Sequence, residues 1–453
     1  MAKINDMTNG KVSKIIFGFF MPLLMTNLLQ QVYNFSDTAI VGKGLGDNAL
    51  AAVGNMSSLT FLIIGFSMGM ANGFAVLISH YYGAKDIGSL KKAFAASVKL
   101  AAVIAVFLTA VSLLFLRRIM IIMNTSDEIL ADSLRYGYII FAGLIATVSY
   151  NISAAVLRAL GDSKTPFIAI VISSVINIML DCICIFGFRT GVEGAAIATV
   201  AATFISAGIC IRRILSIGEL SLSRSDFSAP SGMYSSLLKN GLPMALMNSI
   251  TAVGCIVVQS FVNDLGVAYT SAYSACSRYL NMFMLPGVTA GYTIAAFAGQ
   301  NFGAARFDRI KEGMKVCVRI ALAAYVLLGS LMVFFPKVLA SFMLNGSDTI
   351  GIAAEFLPIC GAMLFAVDLL FVFRNCVQGM GQPIMPMISG ILEMVLRIAV
   401  IVLFIRNMGF RATAFAEISA WTGALIVNAG AYFMYIRRFS SEKSALSYQV
   451  STT

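Results

Sequence analysis

The 453-residue chain reads as an all-α membrane protein: twelve transmembrane helices in two six-helix bundles, related by a pseudo-two-fold axis along the membrane normal. Three observations predict this. Hydrophobic residues make up 59% of the chain and charged residues 12%, against roughly 45–50% and 25% in soluble domains. Apolar stretches of about 20 residues, the length that crosses a bilayer, recur along the whole sequence. Landmarks also repeat at a spacing of about 220 residues: Pro22 with Pro243, Gly46 with Gly266, Tyr82-Gly83-Ala84 with Phe302-Gly303-Ala304, Gly161 with Gly381, and Pro166 with Pro386. Internal duplication in a polytopic membrane protein is the usual scaffold of a secondary transporter.

In the first half, spans are expected near 14–37, 50–79, 93–116, 133–156, 166–188 and 191–213. A polar, serine-rich stretch with Pro230 and Gly232 follows and has the composition of a linker. The second half then supplies spans near 237–262, 268–298, 314–336, 350–376, 386–405 and 409–436. The predicted domains are an N-lobe (1–215), a cytoplasmic linker (216–236), a C-lobe (237–438) and a cytoplasmic tail (439–453). Six crossings per half start both halves on the same side, which makes the repeat parallel and leaves a cleft between the bundles for substrate. Pro22 removes a backbone bond to Gly18 inside the first span, and Pro243 has the equivalent place in the seventh; each reads as a static kink or as a hinge. The G-x-x-x-G steps Gly65, Gly69, Gly73 and Gly287, Gly291 read as close helix packing.

Orientation follows from Lys and Arg. With the N-terminus inside, nineteen fall on inside segments and eight on outside segments, which places both termini in the cytoplasm of a cell-membrane protein. The net charge of +11 mostly reports this topology, so no nucleic-acid partner is expected. The first apolar run is too long for a signal-peptide core, so it is expected to stay as an anchor. The eight cysteines contain no C-x-x-C pair and read as small packing residues.

Chemistry in a bilayer shows itself as ionisable groups that lipid would exclude, since a central charge costs roughly 2.5–3.5 kcal/mol on insertion scales. The first half offers Asp37 and Asp181; the second offers Arg278, Asp368, Arg374, Glu393 and Arg397. Asp37 has Tyr33 one turn earlier on the same helix face, and Asp181 has Asn177 in the same relation. Helix rise puts both acids, and Thr199 of the sixth span, at one depth. Two carboxylates, an amide, a phenol and a hydroxyl form an oxygen-rich set suited to Na+, held by Asp37, Asn177 and Asp181, or to a proton shared between acids. A scaffold role would tend to appear in both halves, yet the counterparts near Val257 and Ile401 are apolar. In the second half, Glu393 and Arg397 are spaced for an ion pair within one helix or for lining a cavity. Arg278 has no local partner and reads as a cross-helix salt bridge or gate. Asp368 is a candidate contact for a cationic substrate or a second proton.

Met21-Pro22, Tyr81-Tyr82-Gly83-Ala84-Lys85, Leu160-Gly161-Asp162 with Pro166, Val175-Ile176-Asn177-Ile178-Met179-Leu180-Asp181 and Ala298-Gly299-Gln300-Asn301-Phe302-Gly303-Ala304 together resemble the multidrug and toxic compound extrusion (MATE) transporters, over nearly the whole chain. The resemblance is to the DinF-like branch. It implies a cation or proton site of Tyr33, Asp37, Asn177, Asp181 and Thr199, a bending Pro22 and a matching Arg278. The glutamate that the NorM-like branch carries on the seventh helix has no counterpart in Gly241 to Phe261, although Asp368 matches that branch's aspartate on the tenth. The function implied is antiport by alternating access: small organic compounds, multidrug-type and cationic, leave in exchange for H+ or Na+, with no cofactor. A lipid-linked oligosaccharide or other lipid flippase is the alternative within the same superfamily. An enzyme is not expected, because His80 is the lone histidine and no nucleophile motif or metal-ligand cluster appears. The expected partners are a small-molecule substrate and the lipid bilayer, and the expected state is a monomer.

Overall fold

A computed structural model describes residues 6–123 and 125–451, with side chains except at Asp47, Ser58 and 442–451. Residues 1–5 of the expected N-lobe and the last two of the expected tail lie outside the described residues. The regular elements are helices: α1 (Val12–Leu45), α2 (Asp47–Gly83), α3 (Ile87–Ile122), α4 (Asp127–Ala142), α5 (Leu144–Ala159), α6 (Lys164–Cys182), a π-helical turn (Ile183–Gly187) and α7 (Gly191–Leu215). After two 3₁₀ turns come α8 (Ser231–Asp264), α9 (Val267–Phe283), α10 (Leu285–Gly303), α11 (Phe307–Phe334), α12 (Pro336–Ser341), α13 (Ser347–Ala362), α14 (Leu364–Gly379), α15 (Ile384–Met408) and α16 (Arg411–Ser451).

Among the described residues nine helices are long and apolar enough to cross a membrane, or eleven when two bent pairs each count as one span. The bent pairs are α4 with α5 (47°) and α13 with α14 (48°). They occupy the expected fourth and tenth spans, so the duplication repeats even the break. The expected twelfth span lies in α16, where Glu417, Ser419 and Asn428 dilute the apolar run.

Duplication is also written in the backbone. Left-handed φ recurs at Gly46 (86°) and Gly266 (109°), Lys85 (59°) and Ala305 (53°), Gly161 (85°) and Gly381 (75°), and Gly191 (66°) and Gly409 (57°). Lys85 and Ala305 are the informative pair, because non-glycine residues rarely adopt φ > 0 and the turn after α2 and after α10 demands it in both halves.

The described residues form two compact units. One holds Met21–Ala245; the other holds Met7–Phe20 and everything from Leu246. The expected linker is therefore no free tether. Ile217, Leu220 and Met233 are buried in the first unit's core with Ile78, Leu90, Val156 and Leu237, and Lys99 Nζ donates to the Phe227 carbonyl (2.6 Å). Serine-rich composition hid these apolar anchors. The first helix of each half is divided between units beside its proline, after Phe20 in α1 and after Ala245 in α8.

Within the first unit, a Cβ on Gly69 would meet the Ala245 backbone at 2.5 Å, and one on Gly73 would meet Gly241. The glycine steps on α2 thus seat the start of α8 by direct backbone approach. The second unit builds its core on Phe356, Leu357, Phe410 and Trp421, with Tyr273 edge-on to Phe356 and Phe410. The chain before α1 is fastened to the same unit. Met7 is buried; its N–H donates to Gln300 Oε1 (2.9 Å), and its carbonyl accepts from Asn301 (3.2 Å) and Arg309 (3.1 Å).

Candidate cation site

The first unit assembles the predicted oxygen cluster from three helices. Tyr33 and Asp37 stand one turn apart on α1, and Asn177 and Asp181 one turn apart on α6, where both are fully buried. α7 brings Thr199. The two carboxyl groups are within hydrogen-bonding reach of each other, as are Tyr33 and the Thr199 side chain. In the amide orientation that satisfies both partners, Asn177 donates to Asp181 Oδ2 (2.8 Å) and accepts from the Thr199 backbone N–H (3.1 Å). All five predicted residues therefore meet.

What remains unsatisfied shows what the cluster can hold. Asp37 Oδ1 and Asp181 Oδ1 are buried without a hydrogen-bond partner. Two bare carboxylates about 4 Å apart repel by roughly 4 kcal/mol at an effective dielectric of about 20, so a proton or a cation between them is the stable filling. Hard oxygen donors match Na+, and either acid matches H+.

Local sequence explains the placement. α6 passes directly into the π turn Ile183–Gly187 after Asp181, and π turns concentrate at functional sites because they re-aim neighbouring side chains. Gly44 accommodates that turn: a Cβ there would lie 2.5 Å from Ile185. Val41, Ile185 and Ala195 then form a small buried cluster with Tyr136 packed on it. Tyr136, from α4, is close enough to Asp37, Tyr33 and Asp181 to interact electrostatically with all three. It belongs to the site, and sequence reading missed it: a tyrosine in an apolar run carries no signal of its own. A cavity of about 200 Å³ lined by Leu45, Asp132, Arg135 and Glu193 lies elsewhere, since Leu45 is two turns beyond Asp37 on α1.

The second unit treats its charges differently. Glu393 and Arg397 form the expected ion pair on α15 (3.3 Å), within a buried chain of four: Arg374 to Glu393 (2.5 Å), and Arg397 to Glu417 (2.9 Å) on α16. All four side chains are buried. Glu417 was missed, although an acid in an apolar span is a legible signal. Asp368 is fully buried with neither oxygen hydrogen-bonded; it packs against Gly287 of α10. Arg278 is exposed and makes no salt bridge among the described residues, so the cross-helix pair is not formed here; its position on α9 turns away from the Tyr273, Cys276 and Leu280 face that packs the core.

Comparison with known proteins converges on one family. The MatE family model matches twice, over residues 22–183 and again over 243–403, starting at each of the two helix prolines. The chain belongs to the MATE family. Among similar proteins, "Probable multidrug resistance protein YoeA" of Bacillus subtilis (strain 168) is 31% identical over 352 residues, covering 75% of each chain. "Probable multidrug resistance protein YpnP" of the same organism is 26% identical and covers 99% of this chain and 97% of its own. A solved MATE structure in the bent conformation matches with a TM-score of 0.91 at 21% identity, over 97% of this chain and 98% of that one. As a MATE protein the chain is a multi-pass membrane transporter and not an enzyme, and the twelve-helix, two-bundle fold is that of its relatives.

Proposed function

We propose that this MATE chain exports small organic compounds, cationic and multidrug-type, by alternating access in exchange for H+ or Na+ taken from outside. The observation that carries the reading is the Asp37–Asp181 pair, each acid with one buried, orphaned oxygen. An incoming cation or proton fills the pair, draws α1 and α6 together and, through Pro22, biases the bend of α1. Cargo and ion then favour opposite states, which is the linkage an antiporter needs. The membrane potential contributes about 2.3 kcal/mol per charge per 100 mV, so a one-for-one exchange of monovalent cations cancels it and leaves the ion gradient as the drive. The cytoplasmic placement of both termini and a monomeric state complete the reading.

A lipid flippase of the same superfamily is not favoured. The buried arginines Arg374 and Arg397 are engaged by glutamates and are not presented to an anionic headgroup. Accumulation of a lipophilic cationic dye separates the readings. Cells expressing the chain should hold less dye than control cells, and an uncoupler or removal of external Na+ should erase the difference; equal dye levels under every condition would reject export.

A further inference from the structure

Sequence register and backbone geometry identify what stands in the second unit at the place of the first unit's cation cluster. The Pro166 and Pro386 match sets Arg397 opposite Asn177 and Ile401 opposite Asp181. The Pro22 and Pro243 match sets Gly254 opposite Tyr33 and Val258 opposite Asp37. Left-handed Gly191 and Gly409 open the segments of α7 and α16 and set Glu417 opposite Thr199; the burial pattern of 194–198 repeats residue by residue over 412–416. The register differs by two residues there, in the stretch where the first half carries the π turn after Asp181.

Both acids of the first unit are thus replaced by fully buried apolar residues, Val258 and Ile401. A guanidinium enters instead. Arg397 Nη2 reaches Glu393 (3.3 Å) and Glu417 (2.9 Å), and Nη1 lies 3.1 Å from where a Cβ on Gly254 would sit. A tyrosine at 254, as at 33, would collide with it, so the glycine makes the room. Arg374 takes the other oxygen of Glu393, and the four charges sum to zero. The first unit has acids with an opening for a positive charge; the second has acids with a positive charge attached to the chain.

We propose that the Arg397 guanidinium is a tethered cation, permanently filling the second unit's counterpart of the exchangeable site, so that of these two matched positions one alone exchanges a cation. An arginine keeps its charge at any physiological pH, and this counterpart site therefore needs no ion from outside. The proposal rests on the coupling-site reading of Asp37 and Asp181, and the test separates the two.

In the purified full chain in nanodiscs, radiolabelled Na+ bound per chain and proton uptake after a downward pH jump are both counted. Asp37→Asn should take up one exchangeable cation fewer than wild type. Arg397→Ala should take up one more than wild type, and free guanidinium ion should displace the added cation and raise the melting temperature of this variant but not of wild type. Arg397→Lys, which retains the tether, should behave as wild type. Should Arg397→Ala be too unstable to purify, Arg397→Gln carries the same expectations. Loss of uptake in Asp37→Asn with no gain and no guanidinium effect in either neutral variant overturns the tethered cation alone. Unchanged uptake in Asp37→Asn overturns the coupling-site reading and the tether with it.

Discussion

Asp181 is the residue on which the first unit's cluster converges: it meets Asp37 on one side and Asn177 on the other, and still has one buried oxygen unpaired. Asp181→Asn replaces that oxygen set with an amide that cannot take a proton, and should abolish Na+ binding or proton release in a detergent titration; unchanged binding would remove it from the site. Glu393 is the opposite case, a charge with a purely internal task. It bridges Arg374 and Arg397 while nearly all its surface is buried, and removing one member of a buried pair typically costs about 3–5 kcal/mol. Glu393→Gln should accordingly lower the thermal midpoint of the detergent-solubilised protein, and a midpoint unchanged from wild type would show the network to be dispensable. Outside the membrane, Asp86 caps α3 by accepting from the Ser89 N–H (3.0 Å), which holds its carboxyl below the usual carboxylate range. A depressed acid contributes stability above its unfolded pKa and loses it as pH falls through the folded one. Asp86→Ala should therefore cost about 1 kcal/mol near neutrality and nothing in strong acid, read from melts at the two pH values.

At the scale of elements, α1 and α8 do most to connect structure to mechanism. Each is one continuous helix with a proline inside, and each passes from one compact unit to the other beside that proline. The missing backbone bond falls beside the point where each helix changes unit. Pro22→Ala restores the donor and should slow export severalfold while leaving cation binding intact; export at the wild-type rate would make Pro22 a static kink. The helix positions were legible because apolar runs of bilayer length leave few alternatives, and the clustering of the five polar residues was legible because Asp37 and Asp181 stand out in such runs while turn spacing and depth bring Tyr33, Asn177 and Thr199 to them. The π turn, Tyr136 and the docked linker were not. A π turn depends on the tertiary fit of Ile185 against Gly44, a tyrosine is unremarkable in an apolar helix, and Ile217, Leu220 and Met233 are too sparse in their polar segment to announce a core. The exposure of Arg278 was not legible for a related reason: hydropathy marks a span but does not say which face of α9 meets the core.

For the whole molecule, duplication supplies two near-equal units and asymmetry supplies direction. The same backbone devices recur in both, down to Lys85 and Ala305 in left-handed conformation, while the polar chemistry diverges into an open acid pair in one and a neutralised Arg–Glu chain in the other. The proposed loading of the ion in a single lobe rests on that divergence. The most direct test is dye export from proteoliposomes under an imposed inward Na+ gradient or pH gradient, with wild type and Asp37→Asn reconstituted at equal density. Export by wild type under at least one gradient, and by Asp37→Asn under neither, is the predicted result; gradient-driven export by Asp37→Asn at the wild-type rate would contradict the account.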